Sequence, residues 1–130
     1  MTTLKIDEAN RMVTSCIGCD RCLEACPTGV LSDGNFDRNI CLSHITQKKG
    51  EIPKEYEDLM IKYHCAWGCD ICQKVCPMNQ KVQVTFIKEF CERNEATVAI
   101  GCDIKGRAFA WRGEKVIERN LKILDTDKKE

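Results

Sequence analysis

Cysteine is the residue type through which this chain can do chemistry: 11 of its 130 residues are Cys. Four form the run Cys16-x2-Cys19-x2-Cys22-x3-Cys26, closed by Pro27. Three more form Cys69-x2-Cys72-x3-Cys76, closed by Pro77. Thiolates are soft metal donors. The x2 spacings let one short loop reach three corners of a four-iron cubane. The cysteine after x3 points away into a helix start and ligates a neighbouring cluster. Zinc sites favour C-x2-C pairs set further apart. The expected cofactors are therefore two [4Fe–4S] clusters.

The two runs are an internal repeat. Residues 18–27 and 68–77 both read G-C-D-x-C-x-x-x-C-P, at an offset of 50. Gly18 permits a positive φ and close backbone approach, so that N–H groups can face sulfur. The second copy departs from the pattern. Ala66 stands where its first cysteine should be, and Cys65 lies one residue early. With crossed ligation, Cys16, Cys19, Cys22 and Cys76 hold one cluster. Cys26, Cys69 and Cys72 hold the other, with a fourth ligand from Cys41 or Cys65. Cys91 and Cys102 remain, read as small, mostly buried residues on helical segments. Enough cysteines exist for His44 and His64 to be surface or helix-packing residues rather than ligands.

Composition narrows the class. Lys plus Arg number 20 and Asp plus Glu 20, so no overall field favours nucleic acid. Only Lys105–Lys122 is locally basic, with six positive against two negative residues. No apolar run approaches the ~20 residues of a membrane helix, and the N-terminus lacks the apolar core of a secretory signal. The expected location is cytoplasmic, away from membranes. In that reducing compartment an odd, tightly clustered set of cysteines reads as metal ligands rather than disulfides.

The elements that must position these ligands read as mainly α. The expected fold is a small ferredoxin-like domain for two [4Fe–4S] clusters, with added helices and at most a short hairpin. Residues 1–14 form a lead-in, 15–104 the cluster domain, and 105–130 a C-terminal helix with a polar tail. Val30, Leu31 and Phe36 flank an Asp33-Gly34 turn as a small hairpin. Asp37 is expected to cap a helix carrying Ile40, Cys41, Leu42 and Ile45, closed by Gly50. Pro53 suits a first helical position ahead of Tyr56, Leu59, Met60 and Tyr63. Thr85 starts a helix with Phe86, Ile87 and Phe90. A last helix spans about Gly106 to Leu124. Trp67, two residues before Cys69, is expected to limit solvent at its cluster, and Trp111 to lie in the core. Arg107, Arg112, Lys115 and Arg119 are read as a solvated helix face, with phosphate contact as the alternative.

Three segments together resemble the epoxyqueuosine reductase family. They are Asn39 through Gly50 (N-I-C-L-S-H-I-T-Q-K-K-G), Trp67 through Pro77, and Phe109-Ala110-Trp111-Arg112-Gly113 followed by Arg119-Asn120-Leu121. The resemblance runs from about Ser15 to Leu124. It implies two [4Fe–4S] clusters that feed single electrons to a cobalamin, in the last step of making the tRNA base queuosine. It also implies that Cys41 is the fourth ligand of the second cluster, in preference to Cys65. Family members carry a large N-terminal domain with the cobalamin and the catalytic acid, and nothing here matches it. No catalytic residue is assigned. The expectation is an electron-transfer module, reduced by a flavodoxin or ferredoxin and passing electrons to a cobalamin-binding partner or missing domain. The alternatives are a fragment or subunit of the reductase, and a zinc-bound structural or tRNA-binding module.

Overall fold

A computed structural model describes residues 16–32, 35–92 and 98–126. The expected lead-in, the Asp33-Gly34 turn and residues 127–130 lie outside them, as does the side chain of Phe90. The order is α1 (Arg21–Glu24), β1 (Leu31–Ser32), β2 (Asn35–Phe36), α2 (Leu42–Gln47), α3 (Lys54–Lys62), α4 (Ile71–Lys74), α5 (Lys88–Cys91) and α6 (Glu114–Thr126). Single 3-10 turns at Pro77–Asn79 and Ala110–Arg112 precede α5 and α6. The domain is mainly helical, as expected. Its hairpin is antiparallel, with Leu31 opposite Phe36 and Ser32 opposite Asn35.

The chain packs as two groups. α1 lies against α4 and β1, so the two cysteine motifs touch. α2, α3 and α6 pack on one another. The second group holds the core: Leu42, Ile45, Ile52 and Met60, with Tyr56, Leu59, Ile123 and Leu124 around them. Cys65 and Cys69 pack on the same cluster. The second motif is thereby seated on the core, while the first is not.

Several expected boundaries move. Asp37 caps a turn rather than α2: its Oδ1 accepts the Asn39 N–H at 2.8 Å. α2 begins after Cys41, which stands at its N-cap in an extended conformation with no side-chain cap bond. Pro53 is the N-cap of α3 rather than its first residue. Thr85 also lies ahead of its helix, accepting the Ile87 N–H at 3.2 Å. The last helix starts at Glu114, not Gly106. Gly113, at φ +88, breaks the chain between the 3-10 turn and α6. An L side chain seldom adopts that angle, so the helix cannot run through. The break lets Phe109 turn inward, where it is buried.

α3 ends in a closure that pattern reading does not show. The Cys65 N–H reaches back to Met60 O at 2.8 Å and the His64 N–H to Ile61 O at 3.1 Å. His64 stands between at φ +48. This is the Schellman arrangement, with histidine in the place glycine usually takes.

Candidate metal centre

The first motif is an exposed loop. Cys16 and Cys19 are exposed, and Cys22 and Cys26 are half-buried. Gly18 at φ +67 and Asp20 at φ +55 curl the backbone ahead of α1. The Gly18 N–H points at Cys16 Sγ at 3.4 Å, the kind of contact that stabilises a ligating thiolate. Cys26 is better prepared still. Burial raises its pKa, but the backbone N–H groups of Thr28, Leu31 and Val30 and the Thr28 hydroxyl outweigh it. The net shift is downward, toward the thiolate a metal needs.

The second motif has the same residues in a different frame. Gly68 repeats the curl at φ +68, but Asp70 sits at φ −111 where Asp20 is left-handed. The frame comes from α2. Thr46 Oγ1 accepts the Gly68 N–H at 3.0 Å, and Ser43 Oγ lies 3.9 Å from where a Gly68 side chain would begin. After α4, Asn79 Nδ2 donates to Gln73 O at 3.0 Å and Gln80 Nε2 to Lys74 O at 2.9 Å, closing the helix carbonyls. Burial raises the Cys72 thiol, and negative charge on Cys69 and Cys26 raises it further. These three sulfurs therefore share one neighbourhood across the α1–α4 contact.

The two candidates for the eighth ligand stand in different surroundings. Cys41, half-buried, has a thiol not spent on capping its own helix, and α2 is tied to the loop before Cys69. The Cys65 thiol instead donates to the Gly68 carbonyl. Burial, then charge on Cys69 and Asp70, pushes it up to about 12. Among the described residues, no three His, Cys, Asp or Glu side chains converge to hold a single metal ion.

Other expectations divide. Trp67 meets buried Phe109 edge-to-face, centroids 5.8 Å apart, and is half-buried beside Cys69. Trp111 is not core; it is 65% exposed, with the Arg112 guanidinium stacked 3.9 Å above it. Cys91 is exposed, with its thiol aimed at Thr85 O at 3.4 Å. Cys102 is half-buried in a turn rather than on a helix. Arg107 and Arg112 precede α6, so the four basic residues do not share one helix. Arg119 is neither a solvated face nor free for phosphate. Its guanidinium spans the end of α2, donating to Lys48 O at 2.8 Å, Thr46 O at 3.3 Å and Gly50 O. Beside it, fully buried Asn120 donates to Thr46 O and Ala66 O, at 2.7 Å each. The sequence named both residues but did not show this role for them. They lock α6 to the loop leading into the second motif.

The family model for a 4Fe-4S double cluster binding domain matches residues 15–79. The chain belongs to that family. The epoxyqueuosine reductase of Lactococcus garvieae is 34% identical over 93% of this double-cluster chain, but over only 38% of its own length. That of Listeria monocytogenes is 35% identical over 84% of the chain and 32% of its own length. A crystal structure of epoxyqueuosine reductase with a tRNA-Tyr epoxyqueuosine-modified stem loop superposes with a TM-score of 0.72. It is 30% identical and covers 85% of this chain and 32% of that one. The chain thus spans about a third of the relatives it matches. No helix among the described residues is long and apolar enough to cross a membrane.

Proposed function

We propose that this double-cluster domain, taken as residues 15–104, is a cytoplasmic one-electron carrier. Cys16, Cys19, Cys22 and Cys76 hold one [4Fe–4S] cluster; Cys26, Cys41, Cys69 and Cys72 hold the second. The observation that carries the reading is the α1–α4 contact. It brings Cys26 of the first motif to Cys69 and Cys72 of the second. Crossed ligation requires that juxtaposition. When bound, each cluster would store one electron. The protein's part is to hold the two within one small domain, to aim N–H groups at the sulfurs, and to keep water from the second with Trp67 and the core. In this reading a cobalamin on a partner or a further domain accepts the electrons, and a flavodoxin or ferredoxin supplies them. A relative solved with a tRNA stem loop supports tRNA as the substrate served. Exposed Trp111 with Arg112 is the surface best suited to touch RNA, through stacking and charge.

The test is a reductive titration with ligand variants, under exclusion of oxygen. The native protein should take up about two electrons per chain. Cys41→Ser should lose about half of the iron and one electron of capacity, and Cys65→Ser should keep both. Full iron in Cys41→Ser with loss in Cys65→Ser would reverse the ligand assignment.

A further inference from the structure

We infer that the cleft between the end of α2 and the start of α6 binds a phosphate group, held by Lys49, Arg112 and Lys115. The inference does not depend on the clusters. It rests on the RNA contact proposed above only in offering a backbone phosphate as one source of the ligand. A free phosphate is the other source.

The cleft has a volume of about 590 Å³, within the roughly 300–1,000 Å³ of small-ligand sites. Its cationic side chains are Lys49, Arg112, Lys115 and Arg119, and its one acidic side chain is Glu114. That excess is local, since the whole chain has as many acidic as basic residues. Arg119 is spent on carbonyls at the end of α2, so it braces the wall rather than binding the ligand. The other three cations are left over by the fold. The ion pairs among the described residues fall on Lys54 and Lys88, not on Lys49, Arg112 or Lys115.

Arg112 carries the specificity. Its guanidinium lies 3.9 Å from the centre of the Trp111 ring, so the ring holds it in place. Its Nε is buried and has no hydrogen-bond partner. A buried N–H left unpaired costs stability until an acceptor takes it. Phosphate suits that donor set, because a guanidinium offers parallel N–H groups to two of its oxygens while a lysine adds a point charge. α6 starts at Glu114, on the wall of the same cleft. The positive end of its dipole therefore adds to the field of the three cations. Glu114 is the one group that opposes an anion there.

The experiment is a calorimetric titration of the native chain, purified without oxygen, at low salt. Inorganic phosphate and a short oligouridylate are the two probes, with iron content and melting temperature recorded in parallel. Arg112→Gln should weaken binding about tenfold or more, and Lys49→Ala should weaken it too. Glu114→Gln removes the opposing carboxylate and should tighten binding, a gain that a damaged fold would not produce. Lys122→Ala removes a cation of α6 that lies outside the cleft, and should change nothing. Oligouridylate bound with the same dependence on these variants would assign the site to a polynucleotide backbone. Phosphate bound without oligouridylate would assign it to a free phosphate. Saturable binding of neither probe would overturn the inference. So would a loss in Lys122→Ala as large as in Arg112→Gln, by reducing the effect to net charge. A native chain without iron would count against the clusters and leave this result standing.

Discussion

Asn120 shows how much one side chain can carry. It has no solvent exposure, and its Nδ2 serves two carbonyls, Thr46 O and Ala66 O. Its Oδ1 takes two bonds from Arg119, at 2.8 and 3.0 Å. Asn120→Leu keeps the bulk, strands the Ala66 carbonyl and leaves Thr46 O only its bond from Arg119. At about 1–3 kcal/mol for a buried group left unpaired, the domain should lose about that much. A shift of the denaturant midpoint checks this, and a loss below about 0.5 kcal/mol would contradict it. The spacing of the seven cysteines in the two runs was legible as a repeat, because a short loop's reach is a local property. Asn120 was not. It falls among Val116, Ile117, Leu121 and Leu124, where period reading expects an apolar residue. Its two partner carbonyls lie 74 and 54 positions away in the chain. His64 was hidden for a related reason: a left-handed histidine at a helix end has no sequence signal, since glycine is the residue usually found there.

At the scale of elements, the glycines govern where helices and loops turn. Gly113 stands at φ +88 with open space where a side chain would go. At φ +88 and ψ 159, a region almost reserved for glycine, Gly113→Ala should therefore cost backbone strain alone, about 1–3 kcal/mol, seen as a lower melting temperature with unchanged iron content. Gly68 differs, because its N–H also binds Thr46 Oγ1. Thr46→Val removes that acceptor from a buried position. It should cost about 1–3 kcal/mol and loosen the second cluster in preference to the first. Iron release to a chelator, followed for each cluster by its resonance signal, would show the order; faster loss from the first cluster would contradict it. The hairpin and the presence of α2, α3 and α6 followed from turn residues and apolar spacing. The start of α6 did not. Phe109 fell inside the expected last helix, whereas it precedes α6 and is buried against Trp67, 42 positions earlier in the sequence. The repeat was visible, yet the differing backbones of Asp20 and Asp70 were not, since only the second loop is seated on α2.

At the scale of the molecule, the domain is a small helical core with a metal-dependent flank. The buried apolar residues gather in α2, α3, α6 and the segments that join them, with Val30 beside the hairpin. α1, α4 and the motif loops contribute none that is fully buried. A flank of that kind draws its order from metal ligation. Removing iron should therefore leave amide protection in α2, α3 and α6 and abolish it across residues 16–26 and 69–76. Uniform loss of protection would mean that the two groups fold as one. The most direct test of the account is the iron and acid-labile sulfide content of the chain purified without oxygen, read with its visible spectrum. The account predicts about eight irons and eight sulfides per chain, with absorption that bleaches on reduction. About four irons, or zinc without sulfide, would contradict it.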